Sequence, residues 1–539
     1  MDSTEKTEKL EKKEKNIVKS GIKLSFLTLL SRILGVIREA AKAHFLGTSG
    51  FADAFGVAFL IPNLLRRLFA ENSISVAFIP TFRGYIEDNR DKKETQEFIN
   101  STFTLITFLT TLVVIIGTII TPLIVKIFYK DSSSDIIAET VILTRIMFPY
   151  LIVISIAALF QGLLNTLNIF SPSGFTPILF NLCVIFGTII LQKKAGNPAR
   201  AMAIGVTTGG IIQALFQLPF VIKNGWKINL TTLKKTFTNP GTKKVVSLIV
   251  PTIIGMATYQ LNDLVSTALA GRTEVGVVSS LQYSLRLQEL ILGIFAVSIG
   301  TVILPDLTGL AKKKLWNEYN DMLTNAVKII ALVCVPITFY SLITGREIIS
   351  LVFKSRAFND DSVNLTLSVF IYHISALFFI AANRIISPAF YAQGNTKLPT
   401  LAGIISFIIN IILAIVLTYF LKGPGIALAL SLSSVVNTVL LFVFLKKIDV
   451  SGAGTIAAKS MFYCLKMVIL SFIAAIPVYY THPIFVKKFI SLGRFLGNGI
   501  PLFLSFAFFA SIGLILLLIT KDEILFSIIN KFLKKGKLK

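Results

Sequence analysis

Residues 52–80 read ADAFGVAFLIPNLLRRLFAENSISVAFIP. Apolar residues run through this stretch for longer than the roughly 20 that cross a bilayer core. Charges nevertheless stand inside it: Asp53, the pair Arg66 and Arg67, and Glu71. A charge at the bilayer centre costs roughly 2.5–3.5 kcal/mol on insertion scales, so such groups face a bundle interior or a wet cavity. The stretch therefore reads as a membrane-spanning helix with one polar face. Glu71 follows Arg67 by four residues and can pair with it. Arg66 projects about 140° away from Glu71 and is the less neutralised of the two arginines. Asn63 adds a polar side chain beside them, and Pro62 can bend the helix and free a backbone carbonyl.

The rest of the chain has the same character. Of 539 residues, 54% are hydrophobic and 15% charged, and the mean hydropathy is +0.76. Apolar runs of spanning length recur at 22–46, 52–84, 98–126, 136–166, 175–192, 200–222 and 244–271. They continue at 276–308, 320–344, 365–391, 398–421, 425–445, 457–480 and 497–520. This predicts an all-α polytopic membrane protein of about fourteen transmembrane helices. The segment from Arg346 to Ser362 is open, a short surface helix being one reading.

A net charge of +25 raises nucleic acid as a partner. No soluble basic domain with interleaved aromatics accompanies it, and Lys and Arg gather in cytoplasmic loops of membrane proteins. Nucleic acid is excluded on that ground. The stretch 223–244, Lys312 to Lys314 and Lys531 to Lys539 place both termini on the cytoplasmic side of a bacterial inner membrane. Lys193, Lys194 and Arg200 argue the other way. Cys183, Cys334 and Cys464 lie far apart inside apolar runs and read as small hydrophobes. His44, His373 and His482 read as isolated.

A faint internal repeat runs through the chain. Asn165-Thr166 precedes Asn181, and Asn395-Thr396 precedes Asn410; Gly205 precedes Gln217 as Gly425 precedes Asn437. It suggests two pseudo-symmetric six-helix halves around a central cavity, plus two C-terminal helices, an arrangement typical of transporters. The expected division is a charged cytoplasmic tail at 1–20, one half at 21–223, a linker at 224–243, the other half at 244–447, two extra helices at 448–520 and a basic tail at 521–539.

The remaining intramembrane charges follow the pattern of 52–80. The stretch SRILGVIRE at 31–39 puts Arg32 and Glu39 on one helix face, within reach of pairing. Arg38 lies about 120° round from Arg32. In YSLRLQEL at 283–290, Arg286 and Glu289 form an i,i+3 pair. Arg145 and Arg384 add cations in the fourth and tenth spans, and Lys42 another in the first. Cations outnumber Glu39, Asp53, Glu71, Asp263 and Glu289. Arginine offers a planar fork that grips phosphate bidentately and keeps its charge. A cavity lined this way suits a diphosphate on a lipid.

The stretches 31–39 and 52–80 together resemble the signature of the MurJ (MviN) lipid II flippases, within the multidrug/oligosaccharidyl-lipid/polysaccharide exporter superfamily. The resemblance continues through FPYLIVISIAALFQGLLNTLNIFSPSGFTPILFN at 148–181, YSLRLQELILGIFAVSIGTVILPDL at 283–307 and SPAFYAQGNTKLPT at 387–400. It implies transport of undecaprenyl-diphosphate-linked peptidoglycan precursor between leaflets by alternating access, for cell-wall synthesis. Substrate contacts would come from Arg32, Arg38, Glu39, Asp53, Asn63, Arg66, Arg286, Glu289 and Arg384, with Glu39 and Glu289 holding unoccupied arginines. The last two helices would form a groove for the lipid tail. The implied partners are lipid II and membrane lipids, the implied working unit is a monomer, and no cofactor is implied. Coupling to the membrane potential or to an ion is left open. The chain departs from the family pattern at Asn72, where a glycine is usual, and at Ser266, where the acid of a sodium site stands in some members. Asp263 is one turn earlier, and no sodium site is assigned.

Other functions fit less well. A drug or cation antiporter of the same fold would want an acidic cavity. An exporter of another lipid-linked oligosaccharide would share the arginines but not the signature at 31–80. A lipid-diphosphate phosphatase is excluded because Phe175 follows Pro172-Ser173-Gly174 where its histidine would stand.

Overall fold

The computed structural model describes residues 26–68, 74–129, 134–294, 296–447, 453–527 and 529. Among these residues every regular element is helical. The chain forms two compact units, Met1–Val278 and Ser279–Lys539.

The first unit contains α1 (26–46), α2 (Gly50–Arg66), α3 (Ile79–Glu87), α4 (Lys92–Phe128) and α5 (Ser134–Met147). It continues with α6 (Tyr150–Thr166), α7 (Ser171–Leu191), α8 (Pro198–Lys223), the short α9 (Leu233–Thr238) and α10 (Pro240–Gly271). Local chemistry sets several of these boundaries. Asn197 and Asn239 accept the backbone N–H groups of Arg200 and Thr242, and Pro198 and Pro240 follow at the first helical position. The asparagines satisfy donors that a helix start leaves unpaired, and the prolines have no N–H to leave unpaired.

The expected helix over 52–84 is described on either side of residues 69–73, which lie outside the described residues. Helix α2 ends at Arg66, a π-helical turn covers Ile74–Phe78, and α3 begins at Ile79. Pro62 is buried inside α2 without ending it. Glu71, expected to pair with Arg67, lies outside the described residues, as do the tail at 1–20 and most of the basic tail after 527.

Two buried clusters hold the unit together. Leu46, Phe55, Ala58, Leu143, Tyr150, Val184 and Met202 belong to one. Phe78, Phe82, Phe98, Leu159, Leu163 and Val245 belong to the other. Helices α7 and α8 meet at glycine: a Cβ on Gly205 would stand 3.0 Å from the Val184 Cα, and one on Gly187 would stand 3.1 Å from the Gly205 Cα. Small residues at such points allow backbones to approach closely inside a membrane.

The linker between α8 and α9 is fastened to α4 by a regular ladder. Gln96, Asn100 and Thr104 accept the backbone N–H groups of Lys227, Asn229 and Thr231 at 3.0, 3.2 and 2.9 Å. Four residues of helix rise about 6 Å, and two residues of extended chain advance about 6.6 Å. The two periods match, so every second linker amide meets a side chain from the same helix face.

The second unit comprises α11 (Val277–Ile294, beginning at the boundary), α12 (Ala296–Lys312), α13 (Trp316–Phe353), α14 (Asp360–Ser375) and α15 (Leu377–Ala392). It ends with α16 (Lys397–Leu421), α17 (Gly423–Lys447), α18 (Ala453–Phe489) and α19 (Gly493–Ile519). The open segment after Arg346 resolves as the last two turns of α13, a short loop, and the start of α14 capped by Asn359. No separate surface helix forms there. Ala474, Ala475, Val478 and Phe509 make a cluster packed by Phe339, Tyr340 and Ile343 of α13.

Among the described residues, eight helical stretches are long and apolar enough to cross a membrane, or nine if the pair α14–α15, bent by 44°, is one span.

Candidate functional site

In the first unit the charged groups form a series along α1 and α2. These helices are joined by the turn at 47–49, where Gly47 N–H donates to Ala43 and Ser49 N–H to Leu46. Nearest the turn, Lys42 is 2% exposed and Asp53 4%. Lys42 Nζ lies 5.7 Å from the Phe55 ring centroid and within electrostatic range of Glu39, Asp53 and Arg38. Asp53 Oδ2 accepts the Gly276 N–H at 2.6 Å. That bond ties the start of α2 to the segment after α10, so Asp53 has a structural task within the unit.

One turn further along α1, Arg38 Nη2 donates to Glu39 Oε1 at 2.8 Å, with side chains 17% and 15% exposed. The Arg38 guanidinium carbon lies 5.7 Å from the Phe180 ring centroid. Helix α7 also holds α1 through Asn181, whose Nδ2 donates to the Ser31 carbonyl at 3.2 Å. Glu39 therefore serves Arg38, its neighbour, and not Arg32, the residue sharing its helix face. Consecutive residues do not normally face each other on a helix. Here both long side chains turn to the same protected space. Among the described residues Arg32 forms no ion pair.

The far end of α2 carries a second group. Arg66 Nε donates to Asn63 Oδ1 at 3.1 Å. Arg67 Nη1 reaches Gln260 Oε1 at 3.1 Å and Asp263 Oδ2 at 3.2 Å on α10. This pair is open, its side chains 37% and 53% exposed. Asp53 and Arg66 are thirteen residues apart, about 20 Å along one helix, so the two groups are separate stations. Residues 26–68 carry five cations, Arg32, Arg38, Lys42, Arg66 and Arg67, against two acids, Glu39 and Asp53, a cationic excess. The Asp263 carboxylate is engaged by a guanidinium, the opposite of an open cation ligand.

The sequence did not point to Gln260, and it gave Lys42 as a cation of the first span without placing it among the substrate contacts. A glutamine three residues before Asp263 is visible in the sequence, but its partner on α2 is not. Lys42 carried a signal, because it follows Arg38 by one helical turn within an apolar run.

In the second unit, Arg286 Nη1 and Glu289 Oε2 stand 3.3 Å apart as an i,i+3 pair, 30% and 53% exposed. Arg384 lies exposed on α15 and forms no ion pair among the described residues. Arg145 donates to the Thr118 carbonyl at 3.3 Å. His373 is buried between Ser284, 2.7 Å from its Nδ1, and Gln288, which donates to its carbonyl. His482 is not isolated: Glu347 and Ser505 flank it. Among the described residues no group of three or more His, Cys, Asp or Glu is arranged to hold a metal ion.

Comparison with known proteins adds an independent line. The model of the family described as Lipid II flippase MurJ matches residues 42–498. A protein of Treponema pallidum (strain Nichols), named Probable lipid II flippase MurJ, is 45% identical over 517 residues, covering 95% of this chain and 97% of its own. The solved structure "Lipid II flippase MurJ, inward closed conformation" superposes with a TM-score of 0.77 at 26% identity, over 93% of this chain and 99% of that one. An inward-facing multidrug resistance MATE family transporter of the MOP superfamily superposes with a TM-score of 0.66, over 82% of this chain and 99% of that one. At 13% identity that likeness concerns the fold alone.

Proposed function

Because the chain belongs to the MurJ family of lipid II flippases, we propose that it carries lipid II from the cytoplasmic to the periplasmic leaflet by alternating access. This supplies precursor for cell-wall synthesis and makes the protein a transporter, not an enzyme. The observation that carries the reading at residue level is the series of cations on α1 and α2, with Arg38 held by Glu39 at 2.8 Å in a protected setting.

The chemistry follows from that arrangement. The lipid-linked diphosphate presents several anionic oxygens to a guanidinium, which binds them bidentately. Arg38 keeps its charge whether or not substrate is present. Glu39 holds the side chain in place between cycles and yields it when a diphosphate competes. Arg66, oriented through its Nε by Asn63, presents a second guanidinium to the sugar and phosphate oxygens. Arg32 adds an uncompensated cation on α1. In the second unit Arg286, loosely paired with Glu289, contributes a further cation, and Arg384 another. Asp53 acts by positioning the start of α2.

The chain crosses the inner membrane about fourteen times in this reading, with two repeated six-helix halves and both termini cytoplasmic. It works as a monomer without a cofactor, and α18 and α19 accommodate the polyprenyl tail among membrane lipids. The membrane potential acts on the net charge moved, at about 2.3 kcal/mol per charge per 100 mV. With the inside negative, it favours outward movement of an anion.

A drug-cation reading has the MATE likeness of fold in its favour, but the cationic excess of the first unit opposes it. The deciding experiment follows the leaflet of labelled lipid II after acute inactivation of the protein in cells. Lipid II should accumulate in the cytoplasmic leaflet and return to normal flux with the intact chain. Normal outward flux during inactivation would overturn the reading.

A further inference from the structure

The second unit contains a buried acid–base pair that the cationic series does not use. Glu347 on α13 and His482 on α18 are 8% and 4% exposed, and Ser505 on α19 is fully buried. His482 Nε2 stands 3.0 Å from Glu347 Oε2, out of line for a hydrogen bond. Its Nδ1 lies 2.8 Å from Ser505 Oγ. Three helices thus meet at one imidazole.

Two further contacts bring the same helices together. Arg494, at the start of α19, donates to the Leu351 and Val352 carbonyls at the end of α13. These are carbonyls that a helix end leaves unpaired. Tyr340 of α13 donates to the Leu502 carbonyl of α19 at 2.8 Å. Pro477 and Pro483 lie on either side of His482 in α18, and each removes a helix hydrogen bond. The backbone around the imidazole is therefore the part of α18 best able to bend.

We propose that Glu347 and His482 form a proton-binding site that fastens the α18–α19 helix pair to α13. With one proton shared between them, the pair is either imidazolium and carboxylate or imidazole and carboxylic acid, and is neutral overall. Without that proton, a carboxylate faces a neutral imidazole, and among the described residues it has no other ion-pair partner. A buried charge that loses its partner is strongly unfavourable, so proton release loosens the joint and proton binding closes it. The Ser505 hydroxyl accommodates both states, accepting from a protonated Nδ1 and donating to a bare one.

Among the described residues the ion pair of Glu347 is with His482. From α13 the other titratable and charged groups near the joint are Tyr340 and Arg346, the latter turned to Asn364 and Asp360. Arg494 is the sole charged residue of α19 and is spent on the α13 carbonyls. Helix α17 carries its only charges, Lys446 and Lys447, at the end that leads into α18, remote from His482. Lys487 and Lys488, in the last turn of α18, are exposed.

The test uses the full chain in lipid vesicles and requires no transport. Infrared difference spectra with isotope-labelled histidine and glutamate are recorded against pH, together with amide hydrogen exchange of α18 and α19. In the wild type, a one-proton step in the imidazole and carboxyl bands should coincide with loss of protection around His482 above the step. Corrected for intrinsic exchange, the opening population should rise about tenfold per pH unit on its flank, as single-proton linkage requires. Glu347→Gln should abolish the step and make protection independent of pH, and His482→Gln should do the same. Matching profiles in wild type and Glu347→Gln would overturn the proposal. So would wild-type spectra without a titrating carboxyl or histidine band, a result that stands even if the variants fail to fold.

Discussion

Arg38 Nη2 and Glu39 Oε1, on consecutive residues of α1, lie 2.8 Å apart with both side chains mostly withdrawn from solvent. The spacing along a helix would have joined Glu39 to Arg32 instead. In the proposed reading, the choice decides which arginine the substrate must win from an acid. Arg38 is the held cation, and Arg32 forms no ion pair among the described residues.

Removing the held cation should be costly. Hydrogen bonds to charged groups contribute about 1.5–3 kcal/mol each, so Arg38→Ala should lower lipid II flux by roughly ten- to a hundredfold. Arg38→Lys keeps the charge but loses the fork and should recover only part of the flux. Glu39→Gln should strengthen lipid II binding and slow its release. Leaflet-resolved lipid II measurements on variants at equal membrane levels check all three. Wild-type flux in Arg38→Ala would remove Arg38 from the site.

The Arg67–Asp263 contact joins α2 to α10 through an open pair. Exposed pairs contribute about 0–1 kcal/mol, so Arg67→Ala and Asp263→Ala should each change stability little. If the contact guides helix movement, either substitution should alter flux several-fold more than it alters the melting temperature. The exchange of Arg67→Asp with Asp263→Arg should then restore flux, and its failure to do so would assign the effect to one residue alone.

Asp53 receives the Gly276 N–H and faces Lys42. Asp53→Ala should leave that amide without its partner and cost about 1–3 kcal/mol, visible as lower folded yield. Asp53→Asn keeps an acceptor but not the charge, and should be rescued in part by Lys42→Met. Thermal unfolding in detergent, read for single and double variants, measures the coupling.

Helices α7 and α8 have no room where Gly187 and Gly205 meet. Gly205→Val on α8 would drive a side chain into the α7 backbone, where a Cβ alone comes within 3.0 Å of Val184 Cα. Overpacking of this kind typically costs about 1–3 kcal/mol. Gly513, with no atom within 4 Å of an added Cβ, is the control, and Gly513→Val should fold at wild-type yield.

Asp522 lies just past α19 and accepts bonds from Lys466 at 2.7 Å, Tyr463 at 3.0 Å and the Leu525 N–H at 3.1 Å. Burial works against its charge, but these partners outweigh burial and hold its carboxyl below the ordinary carboxylate value. A depressed folded-state value gives stability that is present above the unfolded value, about 3.9. It is lost as pH falls through the folded one. Melting temperature should therefore drop below about pH 4 in the wild type. Asp522→Asn, which can still cap the following turn, should start lower and show less of that acid-dependent drop.

Much of this was legible in the amino-acid sequence because the bilayer leaves few options. Apolar runs must become helices when no water satisfies the backbone, and an arginine within such a run must face protein or water. The spacing of Arg286 and Glu289 foretold their pairing because both partners lie on one helix. The reading of Arg32 with Glu39 failed because helix geometry fixes direction, while a long flexible side chain chooses its partner from whatever surrounds it.

What the sequence by itself determined is the helical membrane class, the cationic sign of α1 and α2 and the family to which the chain belongs. Each is written in local order: run length, charge position or contiguous signature. Tertiary structure alone decided that Asp263 and Gln260 meet Arg67, that the α8–α9 linker lies along α4, and that Glu347 meets His482. These partners are separated by well over a hundred residues, and no periodicity along a chain encodes a contact that exists only after its helices have packed.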